Sequence, residues 1–136
     1  MSTRLKEKRE KLEQLISKLA EEAAKGNPIV VEGKKDAQAL QELSVNGSVV
    51  TVKTGGKSFF EATTEIERLD VGMVILLLDF DRRGREGTWR LKHDLERAKI
   101  KVNTRFWREL QGLVGREIQC IESLPSCLGT LQQRVK

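Results

Sequence analysis

Two acidic sites, about fifty residues apart, each close a short apolar run. Glu32 ends Ile29-Val30-Val31-Glu32-Gly33, and Asp79-Phe80-Asp81 directly follows Met73-Val74-Ile75-Leu76-Leu77-Leu78. Apolar, β-branched runs of this length read as buried strands. In an open α/β sheet, ligands bind beyond the carboxyl ends of the strands. The pattern therefore predicts three carboxylates converging at one edge of a sheet. Residues i and i+2 of extended backbone point to the same side, so Asp79 and Asp81 can both face one ion. Hard oxygen donors suit Mg²⁺, with Mn²⁺ as the alternative. Glu32 suits either a third ligand or a general acid/base beside the ion. The acidic pair alone also reads as a turn and helix cap.

The remaining pattern is an alternation of strands and helices. Residues 3–25 read as a charged helix, with Leu5, Leu12 and Leu19 recurring every seven and Leu15, Ile16 and Ala23 filling the stripe. Lys8 and Arg9 break that seam, so packing onto the domain is expected before a coiled coil, with self-association or a protein partner as the other use. Strand one is Ile29–Glu32. Gly33-Lys34-Lys35-Asp36 turns into a helix carrying Ala37, Leu40 and Leu43, with Asp36 as its N-cap. Val49–Val52 is strand two, and Ser58 caps a helix reaching Arg68 with Phe59, Ala62 and Ile66 inward. Met73–Leu78 is strand three, central because it is apolar throughout. A helix from near Gly84 to Ala98 buries Leu91, Leu95 and Ala98, and Ile100–Val102 is strand four. Phe106, Leu110 and Leu113 mark a further helix, widened by Trp107 and Val114. Glu117–Ile121 is unassigned, and Leu124, Leu128 and Leu131 mark a last helix opened by Pro125. Such alternation predicts a parallel sheet with right-handed crossovers.

At 136 residues the chain is long enough for one domain with a real core. No apolar run approaches the roughly 18 residues of a membrane span. The charged N-terminus lacks an apolar signal segment, so the expected compartment is the cytoplasm. Cys120 and Cys127 fit no metal-knuckle spacing and are expected to be reduced, although a disulfide between them is compatible with the sequence. The net charge of +5 is unevenly spread: Arg82 to Arg108 holds ten basic residues and three acidic ones. This basic excess begins directly after the acidic pair, as expected of a surface facing a polyanion. A solvated helix face would have the same composition.

Other motifs are weaker. Thr54-Gly55-Gly56-Lys57-Ser58 lies between a strand and a helix, but a P-loop needs a glycine where Thr51 stands. A backbone nest for phosphate with Lys57 as a point charge, or a plain turn, remains. His93, the one histidine, falls on a polar helix side, and no zinc-ligand pattern or catalytic triad is present. Trp89 and Trp107 read as core or rim.

Val30-Val31-Glu32-Gly33-Lys34-Lys35-Asp36-Ala37, followed by Leu40, resembles the first motif of the Toprim domain. Leu77-Leu78-Asp79-Phe80-Asp81-Arg82-Arg83-Gly84 resembles its second, Asp-x-Asp with a downstream glycine. The resemblance covers roughly residues 28–102. The whole length, including the tail near Glu122-Ser123-Leu124-Pro125, is similar to the small stand-alone Toprim proteins of archaea. This implies a compact, Rossmann-like α/β fold of about four mainly parallel strands between helices. A charged N-terminal helix (1–27) precedes the core (28–102), and a C-terminal helical extension of the same domain (103–136) follows it. The resemblance implies that Glu32 is the general acid/base and that Asp79 and Asp81 hold Mg²⁺ against a phosphate. Where topoisomerases have a third acid, this chain has Arg83, which suits phosphate contact. The chain has no tyrosine, so it can form no tyrosyl link to DNA and is no topoisomerase by itself. A primase needs further domains. Two readings remain: Mg²⁺-dependent cleavage of nucleic-acid phosphodiesters, or a nucleic-acid or ribonucleoprotein binding module that keeps the metal site. Glu32-Gly33-Lys34 also opens the first motif of the small ribosomal-RNA maturases, which favours structured RNA. Lys34, Lys35, Lys57, Arg82, Arg83 and Arg85 are the candidates for holding the nucleic-acid backbone.

Overall fold

The computed structural model describes residues 3–53 and 58–135. Lys57 and the rest of its glycine-rich loop lie outside the described residues. Within them, α1 (Thr3–Ala24) leads into β1 (Ile29–Val31), α2 (Lys34–Glu42), β2 (Val49–Thr51) and α3 (Phe59–Arg68). There follow β3 (Met73–Leu76), α4 (Arg82–Arg97), β4 (Lys101–Asn103), α5 (Arg105–Val114), a short 3₁₀ turn (Ile121–Ser123) and α6 (Leu124–Arg134). The four strands form one parallel sheet in the order β2-β1-β3-β4. The alternating α/β pattern and the central position of β3 are thus as the sequence predicts.

Strand order dictates where the helices go. The crossover from β1 to β2 runs one way along the sheet, and those from β2 to β3 and from β3 to β4 run the other way. Crossovers of one hand must then put α2 on one face and α3 and α4 on the other. Side-chain burial divides accordingly. Ile29, Val31, Ile75 and Leu77 join Leu40 of α2 and Leu12 and Leu19 of α1 on one face. Val30, Val74, Leu76 and Leu78 join Ile66 of α3 and Leu91 and Leu95 of α4 on the other. Strand residues alternate between the two faces as a period of two requires. Helix α1 buries Leu12, Ile16, Leu19 and Ala23, an i, i+4, i+7 stripe, with Leu5 and Leu15 packed beside it. The heptad seam is therefore used within the chain. Helices α5 and α6 complete that layer.

Several boundaries differ from the sequence expectation. The strands stop at Val31, Thr51 and Leu76, and β4 starts one residue later, at Lys101. The backbone pairing nevertheless continues past the strand ends, through Leu77 N–H to Val30 O (2.8 Å) and Lys53 N–H to Glu32 O (3.0 Å). Asp36 is not the N-cap of α2. Gly33 takes that position, and Asp36 sits in the first turn, its Oδ2 accepting the Gly33 N–H at 3.1 Å. Helix α4 starts before Gly84, because Asp81 is its N-cap and accepts the Gly84 N–H at 2.8 Å. Ser58 caps α3 as expected, accepting the Glu61 N–H. Ala98 is exposed, whereas the stripe predicted it inside.

The chain end of β3 is fixed from the α5 side. The buried Trp107 donates its indole N–H to Leu78 O at 2.9 Å. Phe80 N–H donates to Gln119 O at 2.7 Å, and the Phe80 and Trp107 rings meet at 6.4 Å with a 53° tilt. Trp107→Phe would keep an aromatic ring but leave the Leu78 carbonyl without its donor. We expect a loss of about 1–3 kcal/mol in urea unfolding. Unchanged stability would mean that this hydrogen bond does not hold the strand end.

Candidate metal and nucleic-acid site

Strand order reverses between β1 and β3, and ligands of open α/β sheets bind at such a switch point. Glu32 leaves the end of β1 there, and Asp79 follows β3. Glu32 is buried, 7% exposed, with Oε1 paired to Lys53 Nζ at 2.8 Å. Its Oε2 lies 3.5 Å from the Asp79 N–H, a long and weak contact. Lys53 reaches it because the β1–β2 pairing runs two residues beyond β2. That hydrogen bond with Glu32 is the main cause holding the Lys53 ammonium above its ordinary pKa.

Asp36 lines the same space from the first turn of α2. It is 6% exposed, and its Oδ1 accepts the Glu122 N–H at 2.8 Å. Burial raises its pKa, against the lowering effect of its two backbone donors. Asp79 is pushed further, to about 7, first by burial and then by the charges of Glu32, Asp36 and Asp81, with Lys53 opposing. Asp36, Asp79 and Cys120 each bring one donor atom within 4.8 Å of the others. Glu32 and Asp81 do not join that tight group, since Glu32 turns to Lys53 and Asp81 to the Gly84 N–H. The carboxylates and their surplus of negative charge fit a hard divalent cation, for which the Cys120 thiol is not a ligand of choice.

Gly84 makes the approach of α4 feasible. A Cβ there would lie 2.0 Å from the Asp79 carbonyl oxygen. The downstream glycine of the second motif is thus a steric necessity of the strand-to-helix turn.

The basic candidates are dispersed. Lys34 and Lys35 are exposed on the first turn of α2. Arg82 pairs with Glu86 at 3.0 Å, and Arg85 donates to Phe80 O at 3.1 Å. Arg83 lines a cleft of about 480 Å³, together with Glu32, Lys53, Phe59, Phe60 and Arg90. A cavity of about 550 Å³ between α1 and α6 is larger, but none of Glu32, Asp36, Asp79 and Asp81 lines it. The chemistry of the switch point outweighs that difference in size. Sequence reasoning missed Asp36 as a site group, Lys53 and Cys120. Asp36, an acid in the first turn of the helix that directly follows Glu32, was the available signal. Cys120 gave none, and both its thiol and that of Cys127 are free.

Asp79 binds a proton more tightly folded than unfolded. Its contribution therefore favours folding fully below pH 3.8 and is lost as pH rises through about 7. With chelator present, Asp79→Asn should raise the Tm over wild type, more above pH 7 than in mildly acidic buffer. An equal difference at both would show that the carboxylates do not repel one another as placed.

No helix among the described residues is long and apolar enough to cross a membrane. Residues 27–107 match the Toprim domain. A UPF0292 protein of Methanocaldococcus jannaschii is 39% identical over 116 residues, covering 85% of this chain and 88% of that protein. A UPF0292 protein of Methanosarcina barkeri is 30% identical over 90% of this chain and 84% of its own length. A solved structure from Aquifex aeolicus superposes with a TM-score of 0.66 at 28% identity, covering 81% of this chain and 94% of that one. Toprim domains bind divalent metal and act on nucleic acids, and the acidic switch point and its basic flank agree with that. With the match spanning more than half the chain, and both motifs at the strand ends where the sheet reverses, this chain belongs to the Toprim domain family.

Proposed function

We propose that this chain is a Mg²⁺-dependent nuclease that cleaves nucleic-acid phosphodiesters, RNA before DNA. The observation that supports it most is the gathering of Glu32, Asp36, Asp79 and Asp81 at the switch point beside an arginine-rich helix start. Asp79 and Asp81, with Glu32, would hold the ion. When bound, Mg²⁺ supplies charge screening for the phosphate and stabilises the leaving oxyanion. Glu32 moves the proton, and Lys53 holds its carboxylate in place from the far side. Arg83, which makes no ion pair among the described residues, and the exposed Lys34 and Lys35 position the phosphate backbone without reading sequence. Lys57 joins them in this reading from sequence alone. Arg82 and Arg85 keep their positive charge near the strand but spend donors on Glu86 and Phe80.

The second reading is a binding module without turnover. Asp81 favours it, because that carboxylate already serves the Gly84 N–H as a helix cap. Structured RNA, single-stranded DNA and duplex DNA incubated with Mg²⁺ or Mn²⁺ separate the two. Under the nuclease reading, wild type gives metal-dependent products, and Asp79→Asn/Asp81→Asn gives none. Glu32→Gln, nearly isosteric but no proton acceptor, should lower turnover by about 100-fold or more while leaving binding nearly intact. Full turnover by Glu32→Gln would remove Glu32 as the acid/base. Binding without products, equal in wild type and the double variant, would replace the nuclease with the module.

A further inference from the structure

We propose that the cleft between α3 and α4 seats an unpaired nucleotide, its base stacked on Phe60. This rests on the reading of the adjoining carboxylates as a phosphodiester site, and it narrows the substrate to a strand unpaired beside the scissile bond. Phe60 is 75% exposed, the most exposed large hydrophobic residue among those described. An isolated exposed phenylalanine needs no explanation. Phe60, however, lines a concavity that also holds Glu32, Lys53, Arg83 and Arg90.

The neighbouring ring is already committed. Phe59 lies under the Arg90 guanidinium, 5.7 Å from ring centroid to Cζ, and against Gly87, where a Cβ would come within 2.8 Å of it. Gly87 thus lets the Phe59 ring sit against α4 as a fixed floor, while Phe60 points away from the buried Ala62, Thr63 and Ile66 and stays exposed. On α4, Arg83, Glu86, Gly87 and Arg90 fall at i, i+3, i+4 and i+7, one continuous helix face toward the cleft. Glu86 is neutralised by Arg82, so the face presents net positive charge.

An aromatic platform edged by cations is the chemistry of single-strand binding. The ring takes any base, and the cations follow the phosphates. The volume of about 480 Å³ lies within the range of small-ligand sites. A fully paired duplex hides its base faces and could not use Phe60 in this way. Glu32 forms one wall, so a nucleotide stacked here has its phosphate near the acidic switch point.

The test is equilibrium binding of a short fluorescent oligonucleotide, as RNA and as DNA, single-stranded and annealed to its complement. Ca²⁺ replaces Mg²⁺ so that cleavage does not intervene. Phe60→Ala should bind the single strand about 10-fold more weakly and the duplex as wild type does. Phe60→Trp should retain single-strand affinity, and Arg83→Ala should flatten the salt dependence by about one counterion. The high exposure of Phe60 keeps these changes from disturbing the core. Single-strand affinity unchanged in Phe60→Ala, or lost equally for single strand and duplex, would overturn the proposal. Binding that depends on Phe60 in a protein that never cleaves would sink the nuclease reading and leave this one. Cleavage with binding indifferent to Phe60 would do the reverse.

Discussion

The site is constrained first by the approach of one backbone to another. The first turn of α4 presses on the Asp79 carbonyl so tightly that residue 84 can have no side chain. That contact places the amino end of α4, with its positive dipole and its cap Asp81, immediately beyond the sheet. If α4 began even one residue later, Asp81 would lose the Gly84 N–H and Arg83 would leave the cleft. The positions of Asp81, Arg83 and Phe59 all follow from this one approach, since Gly87 on the same helix admits the Phe59 ring.

The opposite side of the site is held by the segment after α5. Gln119 accepts from Phe80 N–H, and Glu122 N–H donates to Asp36. One stretch of irregular backbone thus ties β3's end to α2's first turn. Trp107 adds its bond to Leu78 just upstream. The C-terminal extension therefore serves the site directly. It also supplies Phe106, Leu110 and Leu124 to the core face. The rigidity of an acidic site depends on such supporting bonds, because like charges would otherwise spread apart.

Glu32 and Asp79 were legible in the sequence because strand endings are local events, marked by Gly33 after one run and by acids after the other. Ser58 was legible as a cap for the same reason. Asp36 was read only as a cap because its nearer partner, Gly33, is three residues away. Its other oxygen is used by Glu122, 86 residues along the chain, and no local rule reports such a contact. Lys53 was missed since it faces Glu32 only through the β1–β2 register, which fixes which residues lie side by side once pairing is known. Cys120 follows a stretch with no periodicity at all, and its place beside Asp36 and Asp79 is set by tertiary packing alone. The strand ends slipped by one or two residues because ladder hydrogen bonding outlasts regular strand geometry at the sheet's edge.

The acids at the switch point are not equally supported. Glu32 has Lys53, Asp36 has two backbone donors, and Asp81 has the Gly84 N–H. The Asp79 carboxylate accepts no hydrogen bond from any described residue, and it is the group whose proton is held up to about pH 7. A fold that satisfies three of its acids, and leaves the fourth partly buried and then exposed to their repulsion, is under electrostatic load at neutral pH. A cation binding only the folded state relieves that load and stabilises the fold by mass action, as any such ligand must. The charge that loads the fold is thus the same charge that a divalent ion would neutralise. Supplying Asp79 with a donor of its own would stabilise the protein and weaken the site together.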